Sequence, residues 1–307
     1  MNNNYAVMRY EQAASLLPTR WQRIALQVPE WEKVQAEELR LRTGRPMTVL
    51  LTEGEVIAQS ERPYQLVTQS DLEQLCDTVT GYSRYAVCDT MSKGYLTAVG
   101  GYRVGLCGTA VMQGGAVTNL RDFSSAVIRI GREISGIAEE ILPMLWAGEH
   151  LCSTLICSPP GGGKTTLLRD MVRGLSDGTK TRPACRIALV DERGELAAMH
   201  LGQAQMSVGC HTDVLDGCPK ALAIPILLRA ANPQIIAVDE ITQPGDLQAM
   251  IHAANCGVSL LATIHAGSSE ELQRKSVYQQ LSDSGVFEKV VWIRCRSGRR
   301  EYEVQEL

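Results

Sequence analysis

Apolar positions follow two regimes along the 307-residue chain. Up to about residue 135, short apolar runs are punctuated by turn residues. Beyond it, strand-length apolar runs alternate with segments of helical spacing, the pattern of a parallel α/β sheet. The change divides the chain into a smaller N-terminal α+β domain, 1–134, and a C-terminal α/β domain, 135–307. In the first part, helices are predicted around 11–17 and 20–27. The stretch 37–46 alternates with period two, with Leu39 and Leu41 on one face and Arg40 and Arg42 on the other. Ser70-Asp71-Leu72-Glu73 has capping-box spacing and predicts a helix through about Val79. Gly100-Gly101 and Gly114-Gly115 predict turns joining strands near 94–98, 102–106, 109–113 and 126–130.

In the second part, a helical segment at 135–146 leads into a strand at 152–157. The predicted order continues helix 164–174, strand 186–190, helix 218–231, strand 235–238, helix 245–254, strand 258–264 and helix 269–280. Two strands, 289–296 and 300–306, close the chain around Ser297-Gly298. The connection 202–217 is long and glycine-punctuated, and loops of that length inside a domain are often functional.

Composition narrows the classes without choosing among them. Hydrophobic content of 45% and charged content of 21% are those of an ordinary globular protein. A net charge of −4 and only two Phe argue against a nucleic-acid binder, which needs basic surface and stacking rings. The N-terminus lacks the basic and apolar regions of a signal peptide, and no apolar run is long enough to span a bilayer. Ten cysteines are scattered without a CxxC pair, as expected of reduced thiols in a cytosolic chain. Cys210, His211 and Cys218 fit no standard zinc spacing.

The chemistry concentrates after the strand at 152–157. Ser158-Pro159-Pro160-Gly161-Gly162-Gly163-Lys164-Thr165-Thr166 lies between an apolar strand and a helical segment, the context of a P-loop. Glycines let backbone N–H groups turn inward around phosphates, and the helix N-terminus adds positive potential. In such a loop Lys164 reaches the β- and γ-phosphates, and the Thr165 hydroxyl ligates Mg²⁺. Ser158 stands where the motif has its first Gly.

Hydrolysis needs carboxylates as well. The apolar strand at 235–238 ends in Asp239-Glu240, which delivers both at the edge where the P-loop sits. Asp239 is assigned to the Mg²⁺ shell and Glu240 to the attacking water. A second acidic strand end, Asp191-Glu192-Arg193, either stands beside the phosphate site, with Asp191 and Glu192 tuning Mg²⁺, or is an acidic cap on the following helix. Thr263 and His265 leave one side of a strand end and are candidates to sense the γ-phosphate. Arg103, Arg121, Arg129 and Arg132 either reach a nucleotide, in the same chain or a neighbour, or line solvated strand faces. Arg294, Arg296, Arg299 and Arg300 read as a solvated or interface face of the closing hairpin.

The order of P-loop, Asp191-Glu192-Arg193, Leu227-Leu228-Arg229-Ala230-Ala231-Asn232-Pro233, Asp239-Glu240 and Thr263-Ile264-His265 resembles the secretion ATPases of type II and type IV secretion and pilus assembly. The stretch Thr212–Lys220, with Arg40–Pro46 and Gly100–Gly105, is more similar to the stage III sporulation AA family of endospore-forming bacteria. The resemblance implies an α/β, RecA-like P-loop ATPase domain with a mostly parallel sheet behind a smaller α+β domain. It implies ATP and Mg²⁺ as cofactors and a homo-oligomeric, hexameric ring. It also implies a cytoplasmic motor in the mother cell, peripherally attached to a membrane platform protein of a channel complex facing the forespore, with no nucleic-acid partner. Many secretion ATPases have Gly at the position of Asp239 and an Arg-Asp pair where Thr242-Gln243 stand. A nucleic-acid-associated P-loop ATPase and a nucleotide-gated scaffold with little hydrolysis are the alternatives.

Overall fold

A computed structural model describes residues 3–59, 63–81, 91–92, 94–131, 133–179, 182–274, 276–296 and 299–307. The chain forms two units, Met1–Arg132 with His200–Gln205, and Glu133–Met199 with Met206–Leu307.

The first unit starts with helices α1 (Asn3–Ala14), α2 (Thr19–Leu26) and α3 (Glu30–Gln35). Strands β1 (Ala36–Arg42), β2 (Thr48–Leu51), β3 (Gly54–Ile57), β4 (Tyr95–Ala98), β5 (Tyr102–Gln113) and β6 (Ala116–Arg129) follow, with α4 (Gln69–Val79) between β3 and β4. They pair antiparallel in the order β3-β2-β1-β6-β5-β4. The period-two reading of β1 holds, since Leu39 and Leu41 are buried while Arg40 and Arg42 are not. They join Tyr10, Trp21, Leu72 and Leu75 in one core. The helix cap lies earlier than the sequence suggested. Thr68, rather than Ser70, accepts the Asp71 backbone N–H, and Asp71 accepts the Thr68 N–H in return.

The second unit carries the candidate site. After the two-residue strands β7 (Trp146–Ala147) and β8 (His150–Leu151) come β9 (Thr154–Ser158), α5 (Lys164–Asp177), β10 (Ile187–Asp191) and β11 (Thr212–Asp216). Then follow α6 (Lys220–Ala231), β12 (Ile235–Val238), α7 (Pro244–Asn255), β13 (Ser259–His265), α8 (Ser269–Gln273) and α9 (Ser276–Ser284). Strands β14 (Lys289–Arg296) and β15 (Arg299–Glu306) end the chain.

The seven-stranded sheet has the order β11-β10-β12-β13-β9-β14-β15 and is parallel except for the β14–β15 pair. Strands β9, β10 and β12 are buried along their whole length, as expected of a parallel sheet covered on both faces. Two apolar clusters, one on each face, include Leu155, Ile236 and Leu260 on one side and Ile156, Leu189 and Leu261 on the other.

Three expectations change. The segment 135–146 is not an α-helix but turns leading to a 3₁₀ helix, Leu142–Leu145. Its Gly136 and Ala138 N–H groups bond the buried Asp170 carboxylate instead of a helical ladder, and Pro143 has no N–H to give. The long connection 202–217 contains β11, an edge strand whose polar, exposed positions hide it from an apolar-run reading. The helix at 269–280 is two, α8 and α9.

Candidate active site

Parallel pairing sets the site. His265 at the end of β13 is level with Ser158 at the end of β9, and Ala262 is level with Val238 of β12. The P-loop, Asp239-Glu240 and Thr263–His265 therefore leave neighbouring strands at one carboxyl edge.

The P-loop geometry is tight. Gly163, the N-cap of α5, has φ +99°, which a side chain tolerates poorly. A Cβ on Gly162 would lie 2.3 Å from Ser158 Oγ and 3.1 Å from the Pro159 carbonyl oxygen. Ser158 is buried, and its hydroxyl donates to Pro159 O at 3.0 Å. The serine in the first motif position thus packs against the glycine that the loop requires.

Lys164 is buried, and its ammonium donates to Ser158 O (3.1 Å), Pro159 O (3.3 Å) and His265 Nδ1 (2.6 Å). Asp239 accepts from Thr165 Oγ1 at 3.3 Å through one oxygen and from Thr263 Oγ1 at 2.9 Å through the other. Glu240 faces His265 Nε2 at 3.1 Å and Arg193 at 3.6 Å. Lys164, His265 and Glu240 thus form one bonded set and Thr165, Asp239 and Thr263 a second. The two are adjacent through the Lys164-Thr165 and Asp239-Glu240 neighbours in sequence, and together they make a polar cluster. Such a set suits nucleotide and metal: a glycine loop that excludes side chains, a buried cation, a hydroxyl beside one carboxylate, and a second carboxylate held by its own partners.

The acidic box does not join the cluster as expected. Asp191 is 1% exposed and accepts the backbone N–H groups of Glu195, Leu196, Ala197 and Ala198 at 2.8–3.3 Å. Burial pushes its carboxyl above the ordinary value despite those four amides. It organises the turn after β10, where no helix among the described residues stands for it to cap. Glu192 pairs with the buried Lys220 at the start of α6. Of Asp191-Glu192-Arg193, only Arg193 contacts the cluster, through Glu240.

The residues match a family model described as "Sporulation stage III, protein AA" over 7–302. The chain belongs to this family. It is 36% identical over 276 residues to Stage III sporulation protein AA of Bacillus subtilis (strain 168), covering 90% of this chain and 88% of the relative. In fold it is similar to the Legionella pneumophila ATPase DotB, with TM-score 0.59 at 15% identity over 95% of this chain and 81% of that one. It is also similar to the pilus retraction motor PilT with bound ADP, with TM-score 0.60 at 15% identity over 89% and 79% of the two chains.

Within this sporulation-family chain, two buried cations, Arg169 and Lys220, escape sequence reading. Arg169 of α5 is 9% exposed, and its guanidinium donates to the Leu196 and Glu195 carbonyls. Burial lowers its pKa, opposed by Glu133, Asp191 and Asp239. Its helical position reads as an exposed arginine, and only the returning 195–198 turn buries it. Lys220 is hidden likewise by its pairing with Glu192.

In the first unit, Arg103 stacks on Tyr95 at 4.0 Å, Arg129 lies 3.9 Å from Glu38, and Arg121 lies 3.6 Å from Asp122. Arg132 is outside the described residues. On the closing hairpin, Arg294 pairs with Glu303 at 3.1 Å. Arg300 instead lies against Gly163. The Ser297-Gly298 turn and the Arg296 and Arg299 side chains are outside what is described. No helix among the described residues is long and apolar enough to cross a membrane.

Proposed function

We propose that this chain is a Mg²⁺-dependent ATPase that energises or assembles a transenvelope channel complex between mother cell and forespore. The observation that carries the reading is the placement of two bonded sets, Lys164–His265–Glu240 and Thr165–Asp239–Thr263, side by side at one sheet edge. Membership of a sporulation family and a fold shared with DotB and PilT support it.

In this reading Ser158–Thr166 hold the phosphates of ATP, with Lys164 on the β- and γ-phosphates. Thr165 and Asp239 hold Mg²⁺. When bound, the metal supplies charge neutralisation at the phosphoryl oxygens. Glu240, oriented by His265 and Arg193, positions the attacking water and accepts its proton. Thr263 fixes Asp239. Asp191 and Glu192 act at a remove, by holding the 195–198 turn and Lys220. The working form is a homo-oligomeric, hexameric ring, cytoplasmic in the mother cell, peripheral to a membrane platform protein, and without nucleic acid.

The decisive experiment measures nucleotide binding and Mg²⁺-dependent hydrolysis for wild type, Lys164→Ala and Glu240→Gln. Lys164→Ala should lose binding. Glu240→Gln should bind ATP normally and lose turnover by at least about a hundredfold. Unchanged affinity in the first, or normal turnover in the second, would remove those residues from their roles.

A further inference from the structure

The closing hairpin carries a cation to the P-loop. Strand β14 runs parallel to β9, with Trp292 level with Cys157, so its last residues pass the height at which β9 gives way to the loop. Strand β15 returns antiparallel, with Arg300 opposite Cys295 and Tyr302 opposite Ile293. Alternation puts Arg300, Tyr302 and Val304 on one face. Tyr302 and Val304 pack on the cluster that contains Leu167, Leu168 and Met171 of α5. Arg300, one pleat further, therefore arrives over the N-terminus of that helix. A Cβ built on Gly163 would lie 3.1 Å from Arg300 Nε and 3.3 Å from Cζ.

The electrostatics of this position are one-sided. The α5 N-terminus presents positive potential, and Lys164 follows Gly163 directly. Among the described residues, the Arg300 side chain has no ion pair or hydrogen bond, its backbone being paired in the β14–β15 ladder. Its hairpin neighbour Arg294, on the other face, is neutralised by Glu303 and lies over Trp292 at 5.7 Å. Glu301 and Glu303 alternate away from the Arg300 face. An exposed arginine held over a helix N-terminus and a P-loop glycine adds to positive potential that favours an anion. Its planar fork matches phosphate oxygens.

We infer that Arg300 is a phosphate-binding residue, contributed by the C-terminal hairpin of the same chain that carries the P-loop. The inference rests on the nucleotide-site reading above and adds a residue to it.

The test is titration of the full chain with MgADP and MgATP by calorimetry, for wild type, Arg300→Ala, Arg300→Lys and Arg294→Ala. Arg300→Ala should weaken both nucleotides about tenfold to a hundredfold, the loss expected for one charge-assisted contact. Arg300→Lys should recover part of that loss, because it restores charge without the fork. Arg294→Ala, on the opposite face of the same hairpin, should match wild type and so controls for hairpin integrity. Wild type that binds neither nucleotide would overturn the nucleotide-site reading itself. Wild type that binds, with Arg300→Ala equal or tighter, would overturn the Arg300 assignment alone. Equal losses in Arg300→Ala and Arg294→Ala would likewise overturn it, as a merely structural effect of the hairpin.

Discussion

Lys164, His265 and Glu240 form a bridge whose hydrogen positions follow from chemistry. An ammonium only donates, so His265 Nδ1 accepts from Lys164, and Nε2 carries the hydrogen that faces Glu240. Lys164 has three N–H bonds, and Ser158 O, Pro159 O and His265 Nδ1 are three acceptors for them. To reach a phosphate, Lys164 must release at least one, and His265 competes with nucleotide for it. His265→Ala should therefore bind nucleotide as tightly as wild type, or up to about tenfold more tightly. Turnover should fall at least about tenfold, because Glu240 loses an orienting donor. Calorimetric affinity beside steady-state rates checks the split; weaker binding in the variant would show that His265 supports the bound state instead. Motif residues such as Lys164 and Glu240 are legible in sequence because a P-loop and an acidic strand end are local patterns. The Lys164–His265 bond is not, since it joins residues 101 positions apart and depends on the β9–β13 register. Asp191 shows the same limit from the other side. The strand pattern says where its carboxylate leaves β10 but not that four amides of the next turn return to it. Asp191→Ala should strand those N–H groups and cost about 3 kcal/mol or more in denaturant unfolding.

The elements repeat that lesson at larger spacing. Strands β9, β10, β12 and β13 are readable because burial on both faces makes them continuous apolar runs. Strand β11 is not, because an edge position lets Thr212, Asp213 and Asp216 stand in it. The start of α4 is a finer case. Thr68 and Ser70 both offer a hydroxyl three residues before an acid, and the fold selects Thr68 because Asp71 also reaches Arg20 of α2. Burial alone would push the Asp71 carboxyl up. Hydrogen bonds from the Thr68 hydroxyl and backbone and from Arg20 outweigh it and hold the group below its usual value. A carboxyl with a depressed folded value stabilises fully above its unfolded value, near pH 4, and loses that contribution as pH falls through the folded one. Asp71→Ala should cost about 1–2 kcal/mol at neutral pH. The deficit relative to wild type should shrink below about pH 4, as followed by urea unfolding across pH. A deficit independent of pH would mean that packing, not charge, is what Asp71 supplies.

At the scale of the molecule, the two units have separate cores. Tyr10, Trp21, Leu39 and Ile128 lie in the first, whereas the second unit has one cluster on each face of its own sheet. Every residue of the proposed nucleotide site, from Ser158 to Arg300, belongs to the second unit. Binding stabilises only what binds. At a ligand concentration of 100 Kd, the gain is about 2.7 kcal/mol for the folded form that holds the site. Scanning calorimetry should therefore resolve two transitions, with MgADP raising one and leaving the other in place. The shifted transition should be the one altered by Asp191→Ala, and the unshifted one that altered by Asp71→Ala. Those two substitutions assign the transitions without dividing the chain, which matters because 200–205 returns to the first unit from within the second. A single transition that moves as a whole with MgADP would mean that the two cores unfold as one cooperative body, and that nucleotide energy is shared across it from the outset.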